Sequence, residues 1–477
     1  MGQEIDTTSF TKNDFDRYKL HLLDETQLLS EWFANGQFAE QDHVGGFELE
    51  VWIVDKDCNP LAINESYLKE LNSEWVTPEL SRFNIELNGE PEFLQENALS
   101  KLESILTQSW NHCYQVAETF DVGLVMTGIL PSVREEQLVL ENMSRMKRYQ
   151  ALNEQVFQQR QGKPITLDIV GHEHLKTTHY DVMLESATTS FQVHWQVPLD
   201  ESVRAYNASI LASAATVAVS ANSPFLFDKD LWAETRIPLF EQSVAVGGIN
   251  GAAFGPVRRV GFGSGYARDS LMELFQENLD HYPVLLPVNF NTSKEEMEYV
   301  RLHNGTIWRW NRPLIGFDAQ QKPHVRIEHR VIAAGPTITD SMANAAFYYG
   351  LARYLSQQEQ APESEIPFSV ARDNFYACAK QGLNAHVTWS GDRKGTMKQL
   401  LQQQLLSFAR KGLQSFGLHE VDIDYYLGII QARVETGQHG AEWQRLYHQK
   451  YQCDMQTLTA AYAAHQQTGL PVHQWGL

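Results

Sequence analysis

Alternation of apolar and polar positions is the first signal along the chain. In "GGFELEVWIVD" (45–55), Phe47, Leu49, Val51 and Ile53 are apolar, while Glu48 and Glu50 sit between them. A period of two places the apolar set on one face of a β-strand and the carboxylates on the other. The same period predicts strands at 46–54, 82–88, 191–197 and 325–331, with shorter ones near 122–128, 166–170 and 306–310. Helical spacing governs 13–35, where Leu22, Leu23, Leu29, Trp32 and Phe33 form an inner side and Asn35-Gly36 a stop. It recurs at about 92–120, 134–160, 203–220 and 268–278. From 337 onward the pattern is helical apart from a polar, Pro-containing link at 357–369. The fold class predicted is α+β. Residues 1–356 form a catalytic unit of mixed strands and helices, and residues 357–477 a helical extension packed on it.

The polar faces of the four main strands share an odd composition. They carry Glu48 and Glu50; Asn84, Glu86 and Asn88; Gln192, His194 and Gln196; and Arg326, Glu328 and Arg330, with no lysine. His329 interrupts the apolar row of the last strand. A half-solvated antiparallel sheet also alternates, but its wet face usually mixes lysine, threonine and serine with acids. Four such faces together predict a shared cavity. Like charges crowded there raise one another's pKa, a penalty that a divalent cation removes. Magnesium takes hard oxygen ligands at about 2.0–2.1 Å and shares them with substrate phosphates. Glu48, Glu50, Glu86 and Glu328 are the expected carboxylate ligands; Gln192 and His194 add neutral ligands or hold a phosphate. Arg326 and Arg330 answer the remaining phosphate charge. Acids, magnesium and arginines on one face suit ATP-dependent phosphoryl transfer.

Composition narrows the partners. The 477 residues are 43% hydrophobic in type and 20% charged, with a formal net charge of -21. That balance argues against a nucleic-acid partner, which normally requires a basic patch. Cys58, Cys113, Cys378 and Cys453 are scattered, which fits a reducing, cytoplasmic setting rather than a disulfide framework. The start, "MGQEIDTTSFTKNDF", is polar and unlike a signal peptide. No apolar run approaches the roughly 20 residues of a spanning helix, so no membrane partner is expected.

Five blocks, "GFELEVWIVD", "FNIELNGEP", "TTSFQVHWQVP", "VSANSPF" and "VRIEHRVIAAGPTITD", resemble in the same order those of the glutamate–cysteine ligase family, type 2. The helical "GIIQARVETGQHGAEWQRLY" is also similar to the end of some type-2 members. The resemblance implies an antiparallel sheet curled into a funnel, as in glutamine synthetase and the guanidino kinases. It implies ATP as co-substrate, two or more magnesium ions, and phosphorylation of the glutamate γ-carboxylate before an amine attacks the acyl phosphate. Cysteine is the default amine. On this basis Glu48, Glu50, Glu86 and Glu328 match metal ligands, and Gln192 and His194 the polar pair beside them. Arg330 matches the arginine meeting the transferred phosphoryl group, and Arg236, in "WAETRIP", a substrate-carboxylate arginine. Two other readings keep the fold: phosphotransfer to a small acceptor such as a guanidino compound, or a non-catalytic sensor of nucleotide or amino acid. Self-association is left open.

Other motifs are expected to be mainly structural. Gly261, Gly263 and Gly265 precede a helix that Asp269 would cap, and lack the Gly-Lys-Ser/Thr of a P-loop. His172, His174 and His179 lack helical zinc-site spacing and read as a polar loop at the funnel mouth, within reach of the acceptor amine. In "LHNGTIWRWNRP", either the tryptophans anchor a strand, or Arg309 or Arg312 helps bind nucleotide phosphate or substrate carboxylate. "GPTITD" reads as a helix cap at Thr339 or Asp340.

Overall fold

The architecture is taken from a computed structural model, which describes residues 4–39, 42–246, 258–390 and 393–477. Eight strands form its main sheet: β1 (Val44–Val54), β2 (Val76–Pro78), β3 (Asn84–Asn88), β4 (Glu92–Phe93), β5 (Gly123–Val125), β6 (Phe191–Val197), β7 (Asn311–Phe317) and β8 (Pro323–His329). The order is β7-β8-β6-β1-β3-β2, with β4 and β5 also pairing with β1, and every pairing is antiparallel. The helices used below are α1 (Lys12–Asn35), α2 (Ala98–Phe120), α3 (Lys147–Gln159), α4 (Ser202–Ser220), α5 (Arg236–Ser243), α6 (Met272–His281) and α7 (Glu298–Gly305). They continue with α8 (Ile338–Ser356), α9 (Phe368–Gln381), α10 (Leu406–Ser415), α11 (Glu420–Thr436), α12 (Gly440–Tyr451) and α13 (Met455–Gln467).

The apolar face of the sheet is covered by α4 and α8 over β6 to β8 and by α2 over β3 to β5. α4 and α8 are buried nearly all round, which their alanine- and serine-rich sequences permit because small side chains let backbones approach closely. Trp52 stacks on Phe83 at 5.3 Å and Phe47 on Phe191 at 5.9 Å. His329 breaks the apolar row because it faces these helices. Its ring stacks on Tyr348 at 4.0 Å, and its nitrogens lie 2.7 Å from Asn311 Oδ1 and 3.0 Å from Thr216 Oγ1. Tyr349 donates to the carbonyls of Gly46 and His194, tying α8 to the backs of β1 and β6.

The C-terminal helices share this interior. One apolar cluster runs from Ile5 to Trp475. Arg433 of α11 is buried and donates to Asp340 Oδ1 and Asn344 Oδ1, each at 2.6 Å, and to the Val219 carbonyl at 2.8 Å. α10 crosses α8 where Gly412 meets Gly350, and a Cβ on either would overlap backbone of the other helix.

Several predicted bounds shift. The strand expected at 325–331 runs from Pro323 to His329, so Arg330 lies just past its end. The helix expected over 134–160 begins only at Lys147, after two short 3₁₀ turns. The helix expected from 92 starts at Ala98, preceded by β4. The strand near 306–310 shrinks to Trp308–Arg309, and β7 follows it. Pro313 masked β7, but an edge strand tolerates proline because one of its sides needs no ladder bond. Leu23 is half exposed, not on the inner side of α1. Thr337 caps α8 by accepting from the Asp340 amide, in place of Thr339 or Asp340. The turn before α6 is held by Glu273, which accepts from the amides of residues 268 to 270, in place of Asp269.

Candidate active site

Register brings the polar faces together. Residues opposite each other in antiparallel strands share a face. Glu50 lies opposite Glu86, and Glu86 opposite Thr77. Glu48 lies opposite Gln192. His194 lies opposite Glu328, and Glu328 opposite Arg312. These rows floor one cavity of about 410 Å³, into which Glu48, Glu50, Glu86 and Glu328 project beside Gln192, Arg326 and Arg330.

The acids fall into two groups. Donor atoms of Glu48, His194 and Glu328 all lie within 4.8 Å of one another, and among the described residues this is the one metal-capable group of three or more. His194 Nε2 is 3.5 Å from Glu48 Oε1 and is buried without a hydrogen-bond partner. Burial holds the imidazole down at about 4, so the ring is neutral and keeps a lone pair at neutral pH. Burial alone would raise the Glu328 carboxyl, but Arg312 and Arg330 outweigh it and hold Glu328 well below the usual carboxylate range. Arg312 grips it with two bonds of 2.9 Å, and Arg330 adds a third at 3.1 Å.

The second group is Glu50, Glu86, Glu79 and Glu185. Glu50 accepts from the Ser190 amide at 2.7 Å, the Ser190 hydroxyl at 3.0 Å and Gln192 Nε2 at 3.1 Å. Glu86 accepts from Asn88 Nδ2 at 3.1 Å. Burial pushes Glu50 and Glu79 up to about 7 and Glu185 to about 8. Burial, reinforced by Glu48 and Glu79, raises Glu86 well above its ordinary value. Such a group resists full ionisation unless a cation joins it. Glu79 and Glu185 lie outside strands, so alternation gave no sign of them.

The arginines divide as well. Arg330 donates from Nη1 to Gln192 Oε1 at 2.5 Å, and its buried Nε has no hydrogen-bond partner. Arg326 Nε is likewise buried without one. Arg148 and Arg312 also line the cavity. Arg236 and Arg309 do not. Arg236 is buried behind the site: it donates to Glu234 Oε1 at 3.1 Å and to the carbonyls of Arg330 and Val331. Arg309 turns into the core, donating to Asn278 Oδ1 at 2.7 Å and Glu277 Oε1 at 3.1 Å. Of the two arginines in "LHNGTIWRWNRP", Arg312 reaches the cavity and Arg309 does not.

The remaining motifs lie elsewhere. Ile165–Val170, close to the strand expected at 166–170, pairs with His174–His179, where a loop was expected, in a separate hairpin. His172, His174 and His179 meet three different acids, Asp230, Asp168 and Glu135, and none lines the sheet cavity. Gly261 pairs alongside Arg309, outside the cavity. No cysteine lines it.

The model of glutamate–cysteine ligase family 2 matches residues 44–461. The chain belongs to that family. It is therefore an ATP-dependent carboxylate–amine ligase of the glutamate–cysteine ligase type. Among solved structures, the enzyme's fold is similar to glutamate–cysteine ligase from Francisella tularensis in complex with AMP. The TM-score is 0.57 at 12% identity, over 90% of this chain and 89% of that one. A bifunctional glutathione synthetase from Pasteurella multocida matches at a TM-score of 0.49 and 10% identity, over 92% of this chain and 54% of that one. No curated protein matches the chain. Among its described residues no helix is long and apolar enough to cross a membrane.

Proposed function

We propose that the enzyme uses ATP and magnesium to join the γ-carboxylate of glutamate to the amino group of a small acceptor, with cysteine the default. The observation that carries this reading is the sheet face itself: crowded buried acids and unsatisfied arginine nitrogens share one cavity. The donor set fits magnesium. It is dominated by carboxylate oxygens, and His194 Nε2 is a buried atom that lacks a hydrogen-bond partner. Glu48, His194 and Glu328 would hold one ion, and Glu50 and Glu86 a second. Bound there, the ions would offset both the carboxylates and the nucleotide phosphates.

The chain's own groups supply positioning. The glutamate carboxylate attacks the γ-phosphorus and ADP leaves; the amine then attacks the acyl carbon and phosphate leaves. Both steps move negative charge across a small volume, and no protein nucleophile is required. Arg330 faces the transferring group, oriented by Gln192 and Glu328. Arg326 serves the nucleotide phosphates. Glutamate binding falls to the cavity arginines, Arg148 and Arg312 among them, since Arg236 and Arg309 are committed to the core.

Purified protein with ATP, magnesium, glutamate and a panel of amino acids and amines tests the reading. ADP release should require both glutamate and an amine, and mass spectrometry should find the new amide. ADP release that no amine stimulates, or a phosphorylated acceptor in place of an amide, overturns it.

A further inference from the structure

A second cavity, of about 530 Å³, lies where α12 meets the end of α9 and the segment preceding α5, and shares no lining residue with the sheet cavity. Its size is in the range of small-molecule sites, roughly 300–1,000 Å³.

The charges in its wall are arranged unusually. Arg445 is occupied: Nε donates to Asp230 Oδ1 at 2.8 Å and Nη2 to the Leu231 carbonyl at 3.1 Å. His172 Nδ1 lies 3.1 Å from the other oxygen of Asp230. Lys380 and Glu442 are not occupied in this way. Among the described residues neither forms an ion pair, with the other or with any third group, although both line the cavity. Lys380 Nζ rests 5.9 Å from the centre of the Trp232 ring. Glu442 engages His439 only through its backbone amide, at 3.2 Å. Beside them His448 Nδ1 is buried with no hydrogen-bond partner, its ring edge-on to Phe225.

A cation and an anion that share one cleft without pairing form a template for a ligand carrying both charges. Phe225, Ala233 and Leu446 give the same cleft an apolar wall. We propose that this cleft binds a free α-amino acid, its carboxylate on Lys380 and its ammonium on Glu442, with His448 Nδ1 as a further polar contact. Each contact would be a charge-assisted hydrogen bond. The site needs neither nucleotide nor metal and stands independently of the reaction proposed above.

Isothermal titration of the common L-amino acids, one at a time, with ATP and magnesium omitted, tests it. At least one should bind saturably both to the unaltered enzyme and to Glu328→Gln. Lys380→Gln and Glu442→Gln should each weaken that binding roughly tenfold or more, the effect of losing one charge-assisted bond. Both positions are only part-buried, and circular dichroism checks that each variant is folded. The proposal is overturned if no amino acid binds saturably. It is equally overturned if binding survives either cleft substitution, or is lost in Glu328→Gln, which would place the ligand on the sheet face.

Discussion

A single charge decides much at the sheet face. Glu50→Gln and Glu328→Gln each keep the size of the side chain and remove a negative charge from a site proposed to hold cations. Turnover, read as ADP release, should fall on the order of 10²-fold or more in each, with circular dichroism unchanged. Arg309 offers the opposite case. It is buried against Glu277 and Asn278, so Arg309→Met leaves polar partners stranded. Denaturant unfolding should show a loss of about 3 kcal/mol, while the folded fraction keeps its KM for ATP. Sequence alone ranked the two kinds of arginine together. Arg330 and Arg309 both stand at polar positions of strand-like segments, and which side of a strand faces a cavity depends on what packs across it. Glu79 and Glu185 were not legible because they reach the site from turns, and Arg148 because it enters from the first turn of α3, away from the strands whose alternation pointed to the cavity.

Among the elements, strands were easier to read than helix starts. β1 and β6 stand close to where alternation put them, because the apolar face of each is buried in the core and the register cannot slip. The region 134–146 looked helical but is tied down by local turns, and periodicity does not register turns of that kind. Helix packing yields two paired expectations. Gly412→Ala should cost about 2–3 kcal/mol in denaturant unfolding, since its Cβ meets the Gly350 carbonyl. Gly428→Ala, in α11 with open space around it, should gain about 0.5–1 kcal/mol by the same measurement. α1 docks through Glu25, which accepts from the Val300 amide of α7 at 2.8 Å. Burial raises the Glu25 carboxyl to about 7. The folded state therefore holds that proton more tightly than the unfolded chain. Its stabilising effect is complete below the unfolded value, near 4.5, and fades as pH rises through about 7. Glu25→Gln should remove that downward slope from a plot of stability against pH.

The whole molecule is where sequence reading was least able to see the role of the C-terminal helices. The change of pattern after 337 predicted a helical extension packed on the core, without saying which groups hold it there. The contacts bind it to the core. Gln466 donates to the carbonyls of Met126 and Pro336, and Arg433 fills the space between Asp340 and Val219. A chain ending at residue 356 would leave these buried groups without partners, along with much apolar surface. It should be recovered aggregated rather than monodisperse by gel filtration.

Asn222 gathers these connections at one point. Its amide nitrogen donates to Glu234, its side chain joins Ala334, Tyr462 and Gln444, and Glu234 in turn holds the Arg236 that grips the carbonyl of Arg330. The backbone of Arg330, the arginine proposed to meet the transferring group, is thus moored, through a relay of rigid polar links, to the last helices of the chain. Damage near the far end of the polypeptide would blunt the chemistry while the distant mouth of the funnel still looked intact.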